Sequence, residues 1–208
     1  MRTEAKICGL TRAADVAAAQ AAGAAWLGFI VEAPSPRRLS LAEAGPLIGD
    51  VRANTVAVTV DPDDALVAGI RDAGFTHIQL HGAETLDRTA EIARTGLGVI
   101  KAVPVATADD VKLATEYSGA ADLLLFDAKP PVNAEQRGGH GLSFDWSVLR
   151  AAPTPKRFLL AGGLTPDNVR DAVARTRAPI ADVSSGVEAA PGVKDPALMT
   201  AFMEALRG

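Results

Sequence analysis

The chain has 208 residues, 48% of them hydrophobic and only 4% aromatic, with a formal net charge of −4 at pH 7. That length buries a full core in one or two domains, and the negative balance excludes the basic footprint that nucleic-acid backbones and anionic membranes demand. A single cysteine rules out an internal disulfide and fits a reducing compartment; the start, Met1-Arg2-Thr3-Glu4-Ala5-Lys6, does not read as a signal peptide, and no apolar run is long enough to span a bilayer, so a cytoplasmic protein is expected.

Short apolar runs alternate with alanine-rich segments of helical period. Strands are expected near Ala5–Cys8, Trp26–Val31, Thr55–Val60, His77–Leu80, Gly98–Val103, Asp122–Phe126, Phe158–Ala161 and Ile180–Ser184. Helices are expected between and after them, near Thr11–Ala22, Leu41–Gly49, Asp63–Ala73, Glu84–Thr95, Ala108–Tyr117, Asp145–Ala151, Asp167–Thr176 and Pro196–Leu206. Asp63 and Asp167, each after a proline, mark helix starts, and Gly23, Gly74 and Gly96 mark helix ends. Repeated βα units of this number and size predict a (β/α)8 TIM barrel in one domain over residues 1–208. A doubly wound open sheet is the competitor, but Cys8-Gly9-Leu10-Thr11 after the first strand lacks its glycine spacing.

In such a barrel the reactive groups gather at the C-terminal ends of the strands, and phosphate sits after strands 7 and 8. Ala161-Gly162-Gly163-Leu164-Thr165 and Ser184-Ser185-Gly186-Val187 fill those two loops with glycines and hydroxyls suited to an anion. Cys8 ends strand 1, with Lys6 on the same strand face, where a cation favours thiolate; a lone cysteine is also, as a rule, a small buried hydrophobe. Asp127 ends strand 6 and either caps the next turn or reacts. The longest loop follows it and carries Gly138, Gly139, His140 and Gly141. Arg37 and Arg38 follow strand 2, either as a solvated surface pair or as a fork for a carboxylate. Gln79 and His81 bracket the end of strand 4 as polar substrate contacts, and the spacing of His77 and His81 on a strand gives no support to a metal site.

Taken together, these segments resemble the phosphoribosylanthranilate isomerase family of tryptophan biosynthesis along the whole chain. The resemblance rests on Lys6-Ile7-Cys8-Gly9-Leu10-Thr11, Ser35-Pro36-Arg37, Gln79-Leu80-His81-Gly82, Leu125-Phe126-Asp127 and Phe144-Asp145-Trp146. It continues through Ala161-Gly162-Gly163-Leu164 with Pro166 and Asn168-Val169, and Asp182-Val183-Ser184-Ser185-Gly186-Val187-Glu188 with Gly192, Lys194 and Asp195. The resemblance implies Cys8 as general base, Asp127 as general acid and Arg37 as anchor of the anthranilate carboxylate. It implies Gly162, Gly163, Ser185 and Gly186 around the phosphate, Asp182 near the ribose hydroxyls, and Gly138 and Gly141 in the family's glycine loop. The chain departs from the family pattern at His140, Val31 and Thr59.

The implied reaction is an Amadori rearrangement of N-(5-phosphoribosyl)anthranilate, the third step from chorismate. It needs no cofactor and no metal, because hydrogen moves within one molecule. The expected partner is a small phosphosugar, with neither nucleic acid nor membrane, and the expected assembly is a monomer, with a homodimer as the alternative. Three other readings compete. A Schiff-base aldolase on the same barrel would use Lys101, a bifunctional isomerase would favour two aspartates over Cys8 and Asp127, and a phosphate-ligand sensor would need neither.

Overall fold

The computed structural model describes residues 3–129 and 145–208. Eight parallel strands, β1 (Glu4–Ile7), β2 (Trp26–Val31), β3 (Asn54–Thr59), β4 (His77–Leu80), β5 (Gly98–Val105), β6 (Leu123–Ala128), β7 (Phe158–Leu160) and β8 (Ile180–Val183), pair in chain order. β1 pairs with both β2 and β8, which closes the sheet into a (β/α)8 barrel. The helices described are α1 (Ala13–Ala22), α2 (Leu41–Ile48), α3 (Asp64–Asp72), α4 (Leu86–Ala93), α5 (Ala108–Thr115), α6 (Val148–Ala151), α7 (Val169–Thr176) and α8 (Pro196–Arg207).

Local chemistry sets their ends. Ser40 and Glu43 form a capping box on α2, and Thr107 and Asp110 form one on α5, each satisfying orphan N–H groups at the helix start. Asp63, Thr85 and Asp195 cap α3, α4 and α8 by accepting from backbone N–H groups in the first turn. Gly23 closes α1 in the left-handed conformation at φ 95°. Asp167 does not cap α7. That position falls to Asn168, whose side chain turns back to accept from Thr165 N–H at 2.8 Å and to donate to Gly163 O at 2.9 Å. α6 begins at Val148 instead of Asp145, because Asp145 accepts from Ser147 N–H and Oγ and holds a turn there.

Strand residues alternate between the barrel interior and the helix layer. Val56, Val58, Ile100, Ala102, Leu123, Leu125, Leu159, Ala161 and Ile180 pack inside the barrel with Cys8. Residues of the opposite parity, such as Leu27, Phe29, Ala57, Ile78, Leu80, Leu124, Phe126 and Leu160, pack outward beneath the helices. Lys6 shares the parity of Cys8 and is fully buried, and the β1–β8 register sets it opposite Asp182. Lys101 has the outward parity and belongs to the helix layer.

Two short pairings were not visible in the apolar pattern. Arg38–Leu39 runs alongside the end of β2, and Glu188–Ala190 pairs antiparallel with Val193–Lys194 after β8. Both lie beside the C-terminal mouth. No helix among the described residues is long and apolar enough to cross a membrane.

Candidate active site

The C-terminal mouth of the barrel is one cavity, and it gathers Cys8, Arg37, Gln79, His81, Asp127, Gly162, Gly163, Asp182, Ser185 and Gly186 on its lining. These ten positions come from six strand ends or the loops after them, so closure of the sheet alone brings them together. Gly138, Gly141 and His140 lie outside the described residues.

β1 ends at Ile7, and Cys8 is the first residue past it, held to the ladder by its N–H donating to Val183 O at 2.8 Å. Room for the thiol is made by a residue on the next strand. A Cβ at Gly28 of β2 would fall 2.8 Å from Cys8 Sγ and 3.1 Å from its Cα. Burial pushes the Cys8 thiol above its ordinary pKa; Lys6 pulls it down, Asp182 pushes it up again, and Lys194 pulls it down. The pull of Lys6 toward thiolate runs in the expected direction but does not carry the balance. Lys6 Nζ is committed to Asp182 Oδ1 at 2.8 Å, and burial outweighs what remains of its field.

Asp127 lies within β6 and not beyond it, because the strand runs on to Ala128. Its Oδ1 accepts from Ala128 N–H at 2.8 Å, and its Oδ2 stands 3.4 Å from His81 Nε2. The Gln79 amide lies on the other side of that ring, with Nε2 2.9 Å from His81 Nδ1. Gln79 Oε1 is buried and has no partner among the described residues.

Arg37 is buried, not a solvated surface residue. Its Nε and Nη2 donate to the two oxygens of Glu188, each at 2.7 Å, and that bidentate pair raises the guanidinium pKa. Gly9, at φ 74°, makes this possible. A Cβ there would lie 2.5 Å from Arg37 Cδ, so the arginine stem crosses the backbone where only glycine leaves space. Glu188 also accepts from Lys194 Nζ at 2.8 Å.

On the far side of the mouth the two glycine loops touch. A Cβ at Gly186 would fall 2.0 Å from Leu164 O, and one at Gly162 (φ 87°) would fall 2.7 Å from Ala128 N. These contacts hold the ends of β6, β7 and β8 against one another, with Gly162, Gly163 and Gly186 on the cavity lining.

Sequence reasoning missed Ile30, Ala33, Pro34, Val58 and Val60, which give the cavity an apolar wall. Their parity was the available signal: Ile30 faces inward with Gly28, and Val58 with Val56. Lys101, the residue on which a Schiff-base aldolase would depend, is absent from the cavity lining. It points into the helix layer, where Nζ donates to Glu84 Oε2 at 2.8 Å and Gly82 O at 3.0 Å.

A closed (β/α)8 barrel whose mouth presents a thiol, a carboxylate next to an imidazole, a buried arginine and two glycine loops defines an enzyme built for acid–base chemistry on a small anionic molecule. A family model described as N-(5'phosphoribosyl)anthranilate (PRA) isomerase matches residues 5–205. The N-(5'-phosphoribosyl)anthranilate isomerase of Paracoccus denitrificans (strain Pd 1222) is 50% identical over 211 residues, covering 98% of this chain and 96% of that protein. The protein of the same name from Caulobacter sp. (strain K31) is 47% identical over 209 residues, with 98% of both covered. The crystal structure of phosphoribosyl anthranilate isomerase from Thermotoga maritima superposes with a TM-score of 0.88 at 33% identity, covering 99% of each chain. A crystal structure of a phosphoribosyl anthranilate isomerase in complex with reduced 1-(o-carboxyphenylamino)-1-deoxyribulose 5-phosphate gives a TM-score of 0.84 at 30% identity, again with 99% of each chain covered. The chain belongs to the N-(5'-phosphoribosyl)anthranilate isomerase family.

Proposed function

We propose that this chain isomerises N-(5-phosphoribosyl)anthranilate to 1-(2-carboxyphenylamino)-1-deoxyribulose 5-phosphate in tryptophan biosynthesis, with Cys8 as general base and Asp127 as general acid. The observation that carries the reading is the convergence of Cys8, Asp127, Arg37 and the two glycine loops on one cavity in a chain of this family. Arg37 anchors the anthranilate carboxylate, and Gly162, Gly163, Ser185 and Gly186 receive the phosphate. Asp182 and Gln79 Oε1 meet the ribose hydroxyls, His81 holds Asp127, and Ile30, Val58 and Val60 face the anthranilate ring. Gly138 and Gly141 belong to the loop that follows Asp127.

The proton steps follow from these positions. Asp127 protonates the furanose ring oxygen, the C1–O bond breaks, and the nitrogen lone pair closes a C1=N bond. Cys8 thiolate then removes the proton from C2. That electron pair forms C1=C2, and the nitrogen regains its lone pair, giving an enolamine that ketonises by losing its hydroxyl proton and gaining one at C1. No hydrogen leaves the substrate for an external carrier, so the balance requires no redox cofactor. The chemistry asks for a protonated carboxyl and a thiolate. Protonating an ordinary aspartate at neutral pH costs about 4 kcal/mol, and ionising an ordinary cysteine about 2 kcal/mol. The upward shift of Cys8 makes the second figure a lower bound for the unliganded site.

The reading extends to a single cytoplasmic barrel domain acting as a monomer. Leu86 and Leu113 are the exposed large hydrophobic side chains among the described residues. Light scattering tests this against the dimer that one Thermotoga maritima structure's description records for that protein. For the activity, the purified chain is added to substrate generated in situ, and loss of substrate fluorescence is followed. Decay that depends on enzyme concentration supports the isomerase; no decay sends the search for the reaction elsewhere in the phosphosugar class.

A further inference from the structure

Lys194 is part of the motif that follows β8, and beyond the pull of its charge on the Cys8 thiol the chemistry above gives it no task. Its side chain is completely buried in the strand Val193–Lys194. Nζ donates to Glu188 Oε1 at 2.8 Å, to Ser184 O at 3.0 Å and more weakly to Ser184 Oγ at 3.4 Å. Glu188 is at the same time the bidentate partner of Arg37. Burial pushes the Glu188 carboxyl up, but Arg37 and Lys194 together hold it below its ordinary pKa, so it is ionised.

Burial pulls the Lys194 amine below its ordinary pKa and Arg37 adds to that, while the hydrogen bond to Glu188 and the Glu188 charge push back; with Lys194 protonated against that carboxylate at 2.8 Å, the three side chains carry two positive charges and one negative. The neighbouring buried pair Lys6–Asp182 is neutral, as is Arg12–Asp15 beside the Lys194 backbone. A surplus charge out of water is costly unless an anion meets it. Of the three members only Arg37 lines the cavity, so the surplus is presented there. Without Lys194, Arg37 and Glu188 would cancel, and an incoming carboxylate would feel Glu188 as strongly as its anchor.

We propose that Lys194 is a positioning residue that neutralises Glu188 and so keeps the charge of Arg37 available to a substrate carboxylate. Through Ser184 it also ties the carboxylate subsite to the loop of β8 on the phosphate side. This rests on the assignment of Arg37 as carboxylate anchor, and it makes selectivity for a carboxylate-bearing ring a property of a residue that never touches the ligand.

The test uses two ligands, reduced 1-(o-carboxyphenylamino)-1-deoxyribulose 5-phosphate and the same molecule without the carboxylate. Their dissociation constants are measured by calorimetry on the native chain, Lys194→Met, Lys194→Arg and the double variant Lys194→Met with Glu188→Gln. The ratio of the two constants reads the Arg37 subsite alone and is insensitive to a general loss of stability. Lys194→Met is expected to reduce the preference for the carboxylate by about tenfold, the scale of a lost charge partner. Lys194→Arg keeps it, and the double variant regains it, because net charge returns while the lysine stays absent. A preference unchanged in Lys194→Met, or a double variant as poor as the single, overturns the proposal. A native chain with no preference at all overturns the Arg37 assignment and the proposal with it.

Discussion

Gly28 separates the position of the thiol from its chemistry, because replacing it changes where Cys8 is held and removes no reactive group. Alanine there puts Cβ 2.8 Å from Cys8 Sγ, 3.3 Å from Cys8 Cβ and 3.1 Å from Cys8 Cα. Favourable non-bonded separations are about 3.5–4.0 Å, so the thiol has to retreat by roughly 1 Å. A misplacement of about 1 Å at a reacting group costs about a hundredfold in rate. Overpacking costs about 1–3 kcal/mol, and alanine in place of strand glycine offsets about 0.5–1 kcal/mol of it. At about 2–4 °C per kcal/mol for a chain of this size, the melting temperature falls by no more than about 10 °C. Gly28→Ala is therefore expected to fold, to keep KM near native and to lose about a hundredfold in kcat. Steady-state kinetics on the fluorescent substrate, with a thermal melt of the same preparation, read all three quantities. A variant with lowered melting temperature but native kcat would refute the reasoning, since the rate would then not depend on where Cys8 is held.

Arg37→Ala removes a charged hydrogen-bonding contact worth about 2–3 kcal/mol to a carboxylate, so KM should rise by about thirtyfold to a hundred and fiftyfold with kcat largely kept; an unchanged KM would place the anchor elsewhere. Lys101→Met leaves Glu84 buried without its partner and should cost about 3–5 kcal/mol in denaturant unfolding, while the folded enzyme turns over normally. Loss of kcat at native stability, or a borohydride-trapped adduct on Lys101 by mass spectrometry, would return it to the chemistry. The raised Cys8 pKa means that the folded state holds the thiol proton more tightly than the unfolded chain does. This contribution to stability is complete below the unfolded value of about 8.5 and is lost as pH rises through the higher folded value. Unfolding free energies across that alkaline window should fall less steeply in Cys8→Ala than in the native chain, and equal slopes would deny the shift.

The barrel and most of its mouth were legible in the sequence because both follow from strand count and strand ends. Cys8, Asp127, Gln79, His81 and Asp182 lie at or next to the ends of apolar runs, and a strand boundary misjudged by a residue or two leaves them at the mouth. What stayed hidden was carried by elements too short for a pattern. Arg38–Leu39 and the hairpin Glu188–Ala190 with Val193–Lys194 are strands of two or three residues, below any detectable alternation. Yet they turn Arg37 inward and give it Glu188, where local reading allowed a solvated arginine pair. The balance of charge and burial around Cys8 stayed hidden for a related reason. Lys6 sits on the same strand face, but its partner Asp182 is 176 residues away and becomes a neighbour only when β8 closes against β1. Parity likewise decided Lys101, since one residue along β5 separates the cavity side from the helix side.

The central claim is that Cys8 and Asp127 act as base and acid in one isomerisation. Its most direct test is kcat for the native chain, Cys8→Ser and Asp127→Asn under identical conditions, with the affinity for reduced 1-(o-carboxyphenylamino)-1-deoxyribulose 5-phosphate measured on each. kcat is expected to collapse in both variants while that affinity stays near native. Native turnover in either variant would contradict it.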